Sequence, residues 1–143
     1  MDGGAVHTGR CNCGAVTFSA RIPELHMDAC HCGMCRRQAA GPMMMLTVKD
    51  LEVGGGDSLG IYEASAWGQR LFCRSCGSAI AWRMKDGSHA SVSAFAFDEP
   101  VGADLAVEIF IDEKPDGYAF AGSAQKMTGA QVVAMFAGGN PDG

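Results

Sequence analysis

Apolar and polar residues alternate along this chain in short bursts. Ala15-Val16-Thr17-Phe18-Ser19-Ala20 alternates directly after Cys13-Gly14, and Leu105, Val107, Ile109 and Ile111 set an apolar side chain at every second position. A period of two places successive side chains on opposite faces of an extended backbone, so both segments read as strands. Met43–Val48 is an apolar run after Gly41-Pro42, and Gln69–Cys73, Ala79–Trp82 and Ala90–Phe95 are shorter runs bounded by Gly, Ser or charge. These also read as strands. Helical spacing shows in two places. Cys32–Ala40 has room for a turn or two, and Met127–Ala137 follows a cap at Thr128 with Val132, Val133 and Phe136 on one face. The pattern predicts a mainly β protein with one or two short helices.

A length of 143 residues matches about one domain. No segment has the length or composition of a linker between domains, and Gly54-Gly55-Gly56-Asp57 reads as a turn within it. The expected ordered core runs over about 5–137, between frayed ends at Gly3-Gly4 and from Gly138 to Gly143. A glycine count of 20 with only 8% aromatics favours turns and short elements. No apolar run reaches the ~18 residues that cross a bilayer. Met1–Arg10 has no apolar centre, so it does not read as a secretory signal. The expectation is a cytoplasmic protein with reduced thiols and no membrane partner. A net charge of −5 weighs against nucleic acid as a partner. Arg36-Arg37 is the one basic doublet, a local anion site or simply solvated surface.

Cysteine changes this picture most. Seven cysteines fall into three clusters: Cys11 and Cys13; Cys30, Cys32 and Cys35; Cys73 and Cys76. Disulfide frameworks rarely space cysteines one or two residues apart, whereas metal sites do so because a short arc of backbone converges two thiolates on one ion. The seven divide as four plus three. Cys11-Asn12-Cys13-Gly14 and Cys73-Arg74-Ser75-Cys76-Gly77 both end in glycine, which supplies the positive φ a metal knuckle often needs. Together they would close a structural zinc site and staple distant strands.

Cys30, Cys32 and Cys35 supply three thiolates and leave one position open for water or substrate. On extended backbone His31 points away from Cys30 and Cys32, so it reads as their neighbour rather than a ligand. His7, His26, His89 and Asp28 stand as alternative fourth ligands that would make this a second closed structural site. Met43-Met44-Met45 cannot converge on one ion from a strand and reads as core packing.

Three stretches carry a resemblance: Gly9-Arg10-Cys11-Asn12-Cys13-Gly14-Ala15-Val16, then Cys30-His31-Cys32-Gly33-Met34-Cys35-Arg36-Arg37 with Gly41, then Phe72-Cys73-Arg74-Ser75-Cys76-Gly77-Ser78. With Phe97-Asp98-Glu99-Pro100 and Ile109–Tyr118, including Lys114-Pro115-Asp116, the chain resembles the glutathione-dependent formaldehyde-activating enzyme family. That family also includes centromere protein V. One departure is Gly117, where members often carry tryptophan after the Pro-Asp pair.

The resemblance implies a β-tent fold of small zinc-stapled sheets. It implies two zinc ions, a structural one on Cys11, Cys13, Cys73 and Cys76 and a second on Cys30, Cys32 and Cys35. It also implies a carbon–sulfur lyase of the S-(hydroxymethyl)glutathione synthase type, condensing glutathione or a related thiol with formaldehyde or another small aldehyde, or running the reverse. Arg36 and Arg37 are then candidates to pair with the carboxylates of glutathione. His31 is the candidate general base. The alternatives are a glutathione- or zinc-binding protein without turnover, and a structural zinc module that binds a protein partner.

Overall fold

The computed structural model describes residues 4–137. Gly3 and the tail from Gly138 to Gly143 lie outside the described residues. In chain order the elements are β1 (Val6–Arg10), β2 (Thr17–Arg21), β3 (His26–Cys30), α1 (Gly33–Ala39), β4 (Met43–Gly54), β5 (Leu59–Glu63), β6 (Gly68–Cys73), β7 (Ala79–Met84), β8 (Ala90–Ser93), β9 (Asp104–Ile109), β10 (Gln125–Met127) and α2 (Gly129–Ala137). Short 3-10 turns occupy Gly56–Ser58 and Ile111–Glu113. The protein is mainly β, as the alternating pattern requires. Among the described residues no helix is long and apolar enough to cross a membrane.

The chain forms two compact units. The first takes the described residues up to Leu25 together with Met45–Ala103. In it β1 pairs antiparallel with β2, and β2 with β4. The meander β4-β8-β7-β6-β5 is antiparallel at each step. Alternation holds where it was strongest: Phe18 and Ala20 of β2 are buried, and Val16, Leu46, Leu71, Ile80 and Val92 fill the core. Each such fully buried aliphatic side chain is worth roughly 1.5–3 kcal/mol relative to exposure. Along β4, Met43 and Met45 are buried and Met44 is half-buried, the alternation that suits core packing rather than a shared ion.

The second unit takes His26–Met44 and the described residues from Asp104 onward. Here β3 and β10 flank β9, both parallel to it. The register sets Ala29 and Lys126 on either side of Glu108. The apolar face expected along Leu105, Val107 and Ile109 is only half-buried, and Glu108 on the opposite face is the buried residue of β9. The strand stops short of Ile111 because Phe110 adopts a left-handed backbone, φ 54°. α2 begins with a reciprocal cap. Thr128 Oγ1 accepts from Gln131 N at 3.2 Å, and Gln131 Oε1 accepts from Thr128 N at 2.8 Å.

Candidate metal centres

All seven cysteines are thiols outside any disulfide. The first unit brings Cys11, Cys13, Cys73 and Cys76 together with all sulfurs within 4.8 Å of one another. Two tight turns build this cluster, one after β1 and one after β6, with matching hydrogen bonds. Cys11 N donates to Val16 O at 2.9 Å and Cys73 N to Ser78 O at 2.9 Å. Gly14 and Gly77 close the turns at φ 85° and 83°, the left-handed region that glycine enters without strain. Arg10 braces the first turn by donating to the carbonyls of Cys11 and Asn12.

Backbone amides point at the sulfurs. Val16 N lies 3.3 Å from Cys11 Sγ, and Ser75 N and Cys76 N lie 3.3 and 3.4 Å from Cys73 Sγ. Amide donors favour the ionised thiolate. The Ser78 hydroxyl and amide likewise bring Cys76 down to about 5. The sulfur separations of 3.6 Å for Cys11–Cys13 and 3.8 Å for Cys13–Cys73 are those of neighbouring corners around a tetrahedral ion. A Zn–S bond of about 2.3 Å spaces such corners about 3.8 Å apart. The donor set fits zinc.

The second unit brings Cys30, Cys32 and Cys35 together, all buried, with their sulfurs also within 4.8 Å of one another. β3 delivers Cys30, and Cys32 caps α1 by accepting from Cys35 N at 3.3 Å. This short cap is why the three converge from six residues of chain. Hydrogen bonds from Cys30 and then Cys35 hold Cys32 down to about 2, while the same sharing with Cys32 and Cys35 pushes Cys30 far up. One thiolate is thus stabilised by two neighbouring thiols, and ionising all three calls for a cation. Among the described residues no fourth Cys, His, Asp or Glu joins the cluster, and His7, His26, His89 and Asp28 are not members.

His31 is not a member of the sulfur cluster. The β3–β9 ladder continues through His31 N to Ile109 O at 3.1 Å and seats the ring beside Glu108. His31 is 0% exposed and Glu108 3%. Glu108 Oε1 lies 2.9 Å from His31 Nε2, and the Tyr118 hydroxyl lies 2.8 Å from Nδ1. The rings of Tyr118 and Phe120 pack against the imidazole at 5.5 and 5.8 Å between centroids. Neither Glu108 nor Tyr118 was singled out from sequence. A lone acid among Leu105, Val107 and Ile109 was the available signal for Glu108.

Arg36 Nε donates to the His31 carbonyl at 2.9 Å, and Arg37 Nη1 to the Gly33 carbonyl at 3.1 Å. Both guanidinium groups therefore stay on the α1 segment that carries the cysteines. Glu113 accepts from Gly33 N at 3.0 Å and puts one carboxylate beside them. A Cβ at Gly117 would meet nothing within 4 Å, so the space that a side chain would fill next to Tyr118 is open. An open cleft of the first unit, about 500 Å³ between β1, β2 and β4, has no cysteine or histidine in its lining.

A Rhodobacter sphaeroides protein of known crystal structure has a similar fold. The TM-score is 0.56 at 22% identity, over 69% of this chain and 99% of that one. A Schizosaccharomyces pombe protein described as an uncharacterized lyase is 28% identical over 129 residues, which is 89% of this chain and 94% of the relative. The model of the family described as glutathione-dependent formaldehyde-activating enzyme matches residues 6–113. That span takes in both cysteine clusters, the two glycine-closed turns and Glu108, and by it the chain belongs to the glutathione-dependent formaldehyde-activating enzyme family.

Proposed function

We propose that this protein is a zinc-dependent carbon–sulfur lyase. It joins glutathione, or a related small thiol, to formaldehyde or another small aldehyde, or splits the adduct, in the reducing cytoplasm. The observation that carries the proposal is the buried trio of Cys30, Cys32 and Cys35, three converging sulfurs with no fourth protein ligand among the described residues. Family membership and the lyase-named relative support the same reaction class.

Cys30, Cys32 and Cys35 would hold the zinc of the reaction, and Cys11, Cys13, Cys73 and Cys76 a structural zinc. Zinc at the trio would supply the charge that ionises a thiol at neutral pH, where a thiol in water (pKa near ~8.5) is mostly protonated. Burial of the trio keeps bulk water from screening that charge. Arg36 and Arg37 are the substrate-binding residues. Their guanidinium groups sit on the same short helix as Cys35 and can each pair with a carboxylate. Both ring nitrogens of His31 are engaged by Glu108 and Tyr118, so its part in proton handling is indirect.

The test is turnover by zinc-loaded protein with a panel of thiols and aldehydes, followed by NMR exchange spectroscopy. The spontaneous addition is measured alongside and subtracted. Saturable acceleration supports the lyase. Saturable thiol binding without acceleration identifies a binding protein instead.

A further inference from the structure

Gly33 follows Cys32 directly and opens α1, and its missing side chain leaves a notch. A Cβ there would stand 2.9 Å from Arg37 Nη1, 3.7 Å from Arg36 Nη2 and 3.8 Å from Glu113 Oε1. Two guanidinium groups and one carboxylate thus face the same small space. The chain itself holds all three in place. Arg36 Nε donates to the His31 carbonyl at 2.9 Å, Arg37 Nη1 donates to the Gly33 carbonyl at 3.1 Å, and Glu113 Oε1 accepts from Gly33 N at 3.0 Å. Among the described residues neither arginine is ion-paired with Glu113 or with another carboxylate. Opposite charges therefore flank the notch without closing on each other. Arg37 and Glu113 are exposed and Arg36 is half-buried, so the space opens to solvent.

Covalent geometry ties the notch to the cysteine trio. The Cα atoms of Cys32 and Gly33 are about 3.8 Å apart, which keeps the space over Gly33 within roughly 8 Å of the Cys32 sulfur. The other two sulfurs lie within 4.8 Å of that one. A thiol bound at the trio has its own substituents within reach of the notch. Charge decides which substituent fits. Two arginines alone would draw any dianion. The carboxylate opposite them repels a second negative charge and calls for a cation. The Gly33 amide is already taken by Glu113, so recognition falls to the side chains. A free α-amino-acid head carries a carboxylate and an ammonium on one carbon, the two charges that these two edges complement. A plain carboxylate satisfies the arginines and leaves the Glu113 charge unmatched.

We propose that Arg36, Arg37 and Glu113 form a clamp over Gly33 for the free α-amino-acid head of the thiol substrate, with the arginines on its carboxylate and Glu113 on its ammonium. The inference rests on the reading of the trio as the thiol site given above. It narrows the thiol to one with an unblocked head, either glutathione through its γ-glutamyl end or cysteine itself. The glycyl carboxylate of glutathione has no ammonium beside it and is left to solvent. Because the three side chains are already fixed to α1, little ordering is lost on binding.

The test is calorimetric titration of zinc-loaded protein with four thiols: glutathione, its deaminated analogue glutaryl-cysteinylglycine, its glycyl ethyl ester, and cysteine. Wild type should bind the deaminated analogue about tenfold more weakly than glutathione, the loss of one charge-assisted contact. It should bind the ester within about twofold of glutathione, since a charge left in solvent contributes little. Glu113→Gln keeps an acceptor for Gly33 N, so melting and zinc content should stay at wild-type values. It should bind glutathione about tenfold more weakly and no longer distinguish it from the deaminated analogue. Gly33→Ala puts a methyl group into the notch on helical backbone and should show the same loss with zinc retained. Whichever of glutathione and cysteine binds wild type more tightly and loses more in Glu113→Gln is the source of the head. If the deaminated analogue binds wild type as tightly as glutathione, or Glu113→Gln leaves its disadvantage intact, the clamp is overturned while the lyase reading stands on its own turnover. An ester as weak as the deaminated analogue would put the arginines on the glycyl carboxylate and also overturn it. If either variant loses zinc, the wild-type panel decides alone. Wild type that neither binds nor turns over any thiol brings down the lyase reading and the clamp with it.

Discussion

Replacing Cys73 by serine should unfold the first unit rather than merely empty a site. Cys73 is fully buried at the end of β6, and two backbone amides point at its sulfur. It meets Cys13 from 60 residues away. Cross-linking a loop of that length removes unfolded-chain entropy worth about 4 kcal/mol. A link confined to Cys30–Cys35 is worth about 2 kcal/mol less, because loop entropy grows with the logarithm of length. Ligation adds to this, since structural zinc in small domains contributes on the order of 10–16 kcal/mol. Whole domains are stable by only about 5–15 kcal/mol, so the loss exceeds what the remaining packing can absorb. The assay is circular dichroism with metal analysis. Cys73→Ser should lack a cooperative thermal transition and should match the wild type stripped by chelator. A Cys73→Ser protein with wild-type melting and full metal content would refute the reasoning.

Cys32→Ser should lose about one equivalent of metal and still melt cooperatively, because its cluster closes no long loop and serine remains a good cap for α1; global unfolding would instead mark a structural site. Arg36→Ala or Arg37→Ala should weaken glutathione binding about ten- to a hundredfold, the usual worth of a charge-assisted pair. Unchanged calorimetric affinity in both single variants and the double variant would remove these arginines from the site. His89→Gln should make the protein less sensitive to acid. Burial holds the wild-type histidine below its ordinary pKa of 6.5, so the folded state resists its protonation. Stability linked to His89 is therefore complete above 6.5 and is lost as pH falls through the folded-state value. Melting curves of variant and wild type should differ by a constant above 6.5 and draw together or cross below it; a constant offset throughout would contradict this.

Much of the fold was legible because local chemistry dictated it. Phe18 and Ala20 alternate into the core as their period requires, and glycine follows Cys13 and Cys76 where the chain turns left-handed. The division of seven cysteines into four and three was legible from spacing alone, since metal knuckles are local motifs. β1, β3, β5 and β10 went unread. In β5 only Gly60 is buried, so Leu59 and Ile61 mark no core face and the strand is defined by its pairing with β6. Glu108 was missed for a related reason. Nothing adjacent in sequence shows that a mid-strand acid faces the core, because its partner His31 lies 77 residues away. Tyr118 sits on a loop with no period to read, and its meaning comes from the imidazole it meets.

The most direct test of the lyase assignment is the rate of exchange between glutathione, formaldehyde and their adduct, measured on zinc-loaded protein beside Cys32→Ser. The predicted result is acceleration that scales with protein concentration, saturates with thiol and vanishes in Cys32→Ser while that variant keeps its fold. Zinc-loaded wild type that leaves the spontaneous rate unchanged, with glutathione and formaldehyde and with every other thiol and aldehyde in the panel, would contradict it.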